Sequence, residues 1–144
     1  YEPQKAVATI SNAMDVGNPS NFVRILEIFH NQPAGLKSVL SSHTTSDVQT
    51  KKLIFDVFNQ HGYLLDPHGA VGYDALLNWI SCHPSEKGIL LETAHPIKFL
   101  DVVEPVIGQK IPVPETIAES MQKEKAATLL SNNYDALKEY LLSR

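Results

Sequence analysis

The sequence predicts an α/β fold in which a short, mostly parallel sheet is flanked by helices. Two observations carry this expectation. Short apolar runs bounded by turn formers alternate along the chain with longer stretches whose apolar residues recur at i, i+3, i+4 and i+7. The runs are Ala6 to Ile10, Tyr63 to Leu65, Ile89 to Leu91 and Ala126 to Leu130. Tyr63 to Leu65 is too short to classify by period and is taken as a strand from its place between two helices. These runs are expected mostly to join one sheet, with residues 1–144 forming a single domain-like unit.

In chain order, Lys5 to Ile10 is the first buried strand, and Ser11 to Asn21 is a loop rich in turn formers. Ser20 is a good N-cap for a helix with the stripe Phe22, Ile25, Leu26 and Phe29. The free N–H groups of such a helix start can hold an anion near Gly17 to Ser20, although an ordinary capped loop is the simpler reading. Pro33 breaks the pattern before a short helix over Ala34 to Leu40, and Ser41 to Thr45 is a polar loop. Ser46 with Gln49 makes a capping box for a helix with Val48, Leu53, Ile54, Val57 and Phe58 on its buried face, ending at Gly62. Asp66 caps the next helix, with Pro67 as its first residue. Val71, Ala75, Leu76, Trp79 and Ile80 line its inner side, and Cys82-His83-Pro84 closes it.

The stretch from Gly88 to Phe99 is expected to be strand, sharp turn and helix, with Pro96 at the first helical position. Thr93 then stands at the carboxyl end of a strand, where open parallel sheets bind their ligands. From spacing alone the simpler reading is that Thr93 or His95 caps the helix. That helix continues through Leu100 and Val103 and should stop near Pro105. Pro114 is placed at the first position of a helix carrying Ile117 and Met121. After the run Ala126 to Leu130, Asn133 caps a last helix that turns Leu137 and Leu141 inward.

Composition narrows the function. The 144 residues are 43% hydrophobic, enough for a sizeable core, and the net charge of −4 offers no basic stripe for nucleic acid or an anionic membrane. The one adjacent lysine pair, Lys51-Lys52, fits a solvated helix face. No apolar run approaches a membrane span, and Tyr1-Glu2-Pro3 lacks the features of a secretory signal, so the protein is expected to be soluble and cytoplasmic. A lone cysteine, Cys82, excludes an internal disulfide framework and suits a reducing compartment. His43, His61, His68, His83 and His95 lie in separate loops and helix starts, so no metal site is assigned. Cys82 has no evident histidine partner, the Gly-x-Ser-x-Gly elbow is absent, and a helix-end thiol is the preferred reading. His68 and His95 stand beside helix starts, where the dipole disfavours imidazolium; His95 next to Thr93 is a candidate to sit behind a cofactor contact.

Three segments carry a resemblance. Glu92-Thr93-Ala94-His95-Pro96 with Lys98-Phe99, the twelve residues Ile10 to Asn21, and Asp66-Pro67-His68-Gly69-Ala70-Val71-Gly72 are similar to motifs of threonine synthases. The similarity extends from about Ala8 to Leu142, over the carboxyl-terminal part of that family. Gly69 departs from it, since threonine or alanine usually stands there. The resemblance implies a fold-type II pyridoxal-phosphate enzyme, tryptophan synthase beta-like in fold. Its cofactor is pyridoxal 5'-phosphate, its substrate O-phospho-L-homoserine, and its products threonine and phosphate. It further implies that Thr93 is cofactor-binding, its hydroxyl meeting the pyridine nitrogen. No catalytic residue is assigned, because the family's cofactor-bearing lysine and glycine-rich phosphate loop precede this part. None of the ten lysines stands in that lysine's context. The chain is therefore expected to be a C-terminal fragment that needs the N-terminal remainder of the same enzyme, and to be inactive alone. Two alternatives stay open: a non-catalytic small-molecule or partner-binding α/β domain, and part of another fold-type II enzyme such as a serine/threonine dehydratase. The long motif ending at Asn21 argues against the dehydratase.

Overall fold

The computed structural model describes residues 2–144, and among them there is no β-strand. The described residues form seven α-helices: α1 Phe22–Ile28, α2 Pro33–Val39, α3 Asp47–His61, α4 Pro67–Cys82, α5 Leu100–Ile107, α6 Glu115–Met121 and α7 Tyr134–Leu142. Two 3-10 turns, Asn12–Met14 and Pro96–Phe99, complete the set. The expected α/β class with its mostly parallel sheet is thus overturned. A strand exists only as part of a hydrogen-bond ladder, and the four apolar runs pair with no neighbouring backbone. Within Ala6 to Ile10, the Thr9 and Ile10 N–H groups donate to the side chains of Asp15 and Asp47, at 2.8 and 3.2 Å. Leu90 packs inward while Ile89 and Leu91 are 87% and 78% exposed, which is strand alternation without a partner strand.

The sequence reading expects one domain-like unit; the described residues group into two, one running to Ile111 and one over Pro112–Arg144. The first is built on α3, α4 and α5. Ser46 Oγ accepts the Gln49 N–H at 3.2 Å to start α3, and Gly62, at φ 64°, ends it in the left-handed region that glycine adopts without strain. Leu53, Ile54 and Val57 of α3, Leu65, Ala70 of α4, Phe99 and Val103 of α5 form the buried core. This is a small core for so apolar a chain. Val7, Val48, Ile89 and Leu91 are all more than three-quarters or close to three-quarters exposed. Replacing Ile54, which is fully buried, with alanine is expected to cost about 2 to 5 kcal/mol, read as a lowered urea midpoint at unchanged slope.

Local details differ from expectation where tertiary packing intervenes. The helix from Leu100 runs through Pro105 to Gly108. Proline removes only the bond to the Asp101 carbonyl, and Asp101 is an exposed residue. α1 begins at Phe22 with Asn21 before it and no side-chain cap, so Ser20 does not cap it. On α4 the buried positions are Pro67, Gly69 and Ala70, while Trp79 lies 42% exposed, its ring stacked on His83 with centroids 4.0 Å apart. The polar loop before α3 is pinned to α4, because His43 Nε2 and Thr45 Oγ1 both reach Asp74 Oδ2, at 2.9 and 2.8 Å.

In the second unit Pro114 holds the N-cap position of α6 rather than the first helical one, and Asn133 caps α7 by accepting the Ala136 N–H at 2.8 Å. Ala126 to Leu130 is not a strand: Leu129 is 97% exposed. Leu137 and Leu141, expected inward, are 47% and 60% exposed. No helix among the described residues is long and apolar enough to cross a membrane.

Candidate functional site

The segment leading to Thr93 lies along α4 in antiparallel sense, and glycines make the fit. A Cβ on Gly72 would come within 2.9 Å of Leu90 Cδ1, and one on Gly69 within 2.4 Å of both Glu92 carboxylate oxygens. At the other end, a Cβ on Gly88 would meet Leu76 of α4 at 2.1 Å. Two residues along the extended segment, from Leu90 to Glu92, thus answer three residues of helix, from Gly72 to Gly69. The bare helix surface at Gly69 and Gly72 lets the backbone approach closely enough for Glu92 to reach the start of α4.

Asp66 dominates that start. It is fully buried and accepts three bonds: Oδ1 from the His68 N–H at 2.9 Å and from His68 Nδ1 at 2.7 Å, Oδ2 from the Gly69 N–H at 3.2 Å. The last and first of these satisfy helix N–H groups that have no partner within α4, the ordinary work of an N-cap. The ring contact requires the tautomer with its proton on Nδ1. His68 Nε2 is then a buried atom without a hydrogen-bond partner among the described residues, and its ring rests on Phe99, centroids 4.8 Å apart. Glu92 is an exposed residue, but partial desolvation of its carboxyl and the neighbouring Asp66 carboxyl push it up from its ordinary 4.5 to about 7.

Beyond Glu92 the chain turns, and Tyr63, Leu64, Thr93, Ala94, His95, Pro96 and Lys98 join it in lining an open cleft of about 550 Å³. The cap of the 3-10 turn is His95, whose Nδ1 accepts the Ile97 N–H at 3.2 Å. Thr93 does not cap. It is exposed, and its hydroxyl makes no hydrogen bond among the described residues. Of the two capping alternatives left by the spacing, the structure selects His95 and leaves Thr93 facing the cleft with a donor to give. A flat heteroaromatic ring with an acceptor nitrogen suits such a donor. Lys98 brings the amine of the cleft, and among the described residues no ion pair holds it.

The sequence reading singles out Thr93 and His95 and passes over Glu92, Asp66 as more than a cap, and Gly69. Gly69 was the visible signal, a glycine at the third position of a helix where a side chain is otherwise usual. The twelve-residue motif ending at Asn21 lies elsewhere in the first unit and is organised inwardly. Thr9 Oγ1 donates to Asp15 at 2.7 Å, and Gln4 N–H donates to the Gly17 carbonyl at 2.9 Å. A Cβ on Gly17 would fall 1.9 Å from the Gln4 carbonyl oxygen, so the loop at Gly17 is closed against that strand of chain. Among the described residues no group of three or more His, Cys, Asp or Glu side chains could hold a metal ion.

Comparison with known proteins adds four findings. The family model "Threonine synthase, C-terminal" matches residues 69–141. The chain is 38% identical over 142 residues to threonine synthase of Haemophilus influenzae, covering 99% of this chain and 32% of that protein. Among solved structures it is similar to threonine synthase from Escherichia coli, with a TM-score of 0.82 and 32% identity, over 99% of this chain and 32% of that one. A second, the threonine synthase from Brucella melitensis with pyridoxal phosphate bound, gives a TM-score of 0.64 at 27% identity, over 98% of this chain and 35% of that one. The chain spans about a third of the length of the curated relatives it matches.

Proposed function

This chain belongs to the threonine synthase family, and we propose that it supplies the C-terminal part of an enzyme converting O-phospho-L-homoserine and water to L-threonine and phosphate. The observation that carries the proposal is Thr93, exposed in the cleft with an uncommitted hydroxyl at a turn that His95, not Thr93, caps. The cofactor in this reading is pyridoxal 5'-phosphate, which supplies the electron sink for carbanion chemistry when bound.

Within that reading the residues divide the work. Thr93 donates its hydroxyl to the ring nitrogen, and because a hydroxyl gives up no proton at neutral pH, the nitrogen remains largely unprotonated. His95 fixes the turn that aims Thr93. Leu64 and Ala94 supply apolar walls that exclude water from one side of the ring. The residues of this chain offer no glycine-rich phosphate loop, so the phosphate grip and the lysine that carries the cofactor are assigned to the N-terminal remainder of the same enzyme. The exposed Ile89 and Leu91, which flank the inward-facing Leu90, are consistent with a surface meant to be covered.

The test is absorption of the chain mixed with pyridoxal phosphate. No stoichiometric visible band of a lysine-bound cofactor is expected, and weak bands from surface amines should vanish on dilution. Lys98 makes the test sharp, since it shares the cleft with Thr93. A stoichiometric band that disappears in Lys98→Ala would overturn the division of the site between two parts of the enzyme.

A further inference from the structure

We infer that His68 is a positioning residue for the cleft: held by Asp66 at the start of α4, its ring supports Phe99 and so fixes the Pro96–Phe99 turn that carries His95 and Lys98 beside Thr93. The inference rests on the reading that this cleft holds the ring of the cofactor.

The support is built in three links. Asp66, fully buried, accepts the His68 and Gly69 N–H groups at 2.9 and 3.2 Å, which ties its carboxylate to the backbone of α4. Its Oδ1 also accepts from His68 Nδ1 at 2.7 Å, so the imidazole is held in one orientation where an apolar ring would be free to turn over a broad range. The His68 ring then meets the Phe99 ring, centroids 4.8 Å apart and planes tilted by 54°, an arrangement in which aromatic rings attract beyond the area they bury.

Phe99 passes this support to the cleft. Along the turn Ile97 and Phe99 point into the protein, 9% and 7% exposed, while Pro96 and Lys98 line the cleft. Two bonds to His95 hold the turn together: Nδ1 accepts the Ile97 N–H at 3.2 Å, and the carbonyl accepts the Lys98 N–H at 3.0 Å. The foot of the turn is thus Phe99, and its outer side is a wall of the cleft.

The choice of imidazole at residue 68 tells orientation from filling. The side chain is 8% exposed, and Nε2 is buried without a hydrogen-bond partner among the described residues. An unpaired buried acceptor lowers stability, and leucine or phenylalanine would fill the same space without one. What imidazole supplies and those side chains lack is an N–H by which Asp66 holds the ring.

The test is a double-mutant cycle with two readouts. His68→Asn keeps an N–H for Asp66, so the fold persists, and takes the ring from beneath Phe99; Phe99→Leu removes the other ring. In the cofactor-free protein, His68→Asn should speed hydrogen exchange of the Ile97 and Lys98 amides about tenfold and leave the Leu53 and Val57 amides of α3 unchanged. In the enzyme with its N-terminal remainder, the affinity for pyridoxal phosphate should fall roughly tenfold. On a Phe99→Leu background, His68→Asn should change neither readout by more than about twofold, because the ring it acts through is gone. Additive effects, equal acceleration throughout α3, or faster exchange in the turn with cofactor affinity unchanged would each overturn the inference and leave the proposed function standing. An unaltered enzyme that binds no pyridoxal phosphate would overturn both.

Discussion

Asp66→Ala is expected to remove about 3 to 5 kcal/mol of folding stability. Asp66 is the most heavily engaged polar side chain in the first unit, fully buried and accepting from two backbone N–H groups and the His68 ring. Alanine leaves those donors in a buried site, and each buried unsatisfied donor costs about 1 to 3 kcal/mol. An exposed cap provides the comparison. Ser46 caps α3 through one bond to Gln49 and is exposed, so Ser46→Ala should cost only about 0.5 to 2 kcal/mol. Urea midpoints of the two variants, at matched slopes, measure the difference. Equal losses would mean that Asp66 is a cap and nothing more.

The helices were legible because their signals are local. Ser46 with Gln49, Gly62, Asp66 with Pro67, and Asn133 each act within one turn, and each does in the structure what its residue type allows. The sheet was not legible, because a strand is a relation between two segments. Ile89, Leu90 and Leu91 have the composition and the alternation of a strand, yet composition says nothing of what lies beside them. In this chain the neighbour is α4, reached through Gly69 and Gly72. Pro105 misled for a related reason: it removes one hydrogen bond, to the carbonyl of the exposed residue Asp101, and α5 forms around it.

The site divides along the same line. Thr93 was singled out through resemblance and not through spacing, which favoured a cap. Glu92 adjoins Thr93 in sequence yet has no meaning until α4 is docked, since its partner is 26 residues earlier in the chain, at Asp66. Gly69 and Glu92 are a pair in space that neither residue declares alone. A glycine near a helix start reads as a weak helix former; only once the Glu92 carboxyl is seen against it does it become a seat.

The final expectation concerns Thr93 itself, in the cofactor-bearing enzyme. A hydroxyl donating to a neutral ring nitrogen contributes about 0.5 to 1.5 kcal/mol net, whereas an acceptor left buried and unpaired costs about 1 to 3 kcal/mol. Thr93→Val should therefore weaken cofactor affinity about tenfold or more and slow turnover. The melting temperature of the cofactor-free protein should hold, because valine keeps the shape and β-branching of threonine and His95 carries the cap. Thr93→Asp should do something different in kind. Its carboxylate holds a proton on the ring nitrogen, deepens the electron sink, and shifts both the absorption and the partition between elimination and side reactions such as transamination. Thr93→Ser keeps the donor and should be the mildest of the three. Cofactor affinity, absorption and melting temperature on one set of variants separate a ring contact from a structural role. A lowered melting temperature with affinity and spectrum unchanged would take Thr93 out of the site, against its exposed position in the cleft.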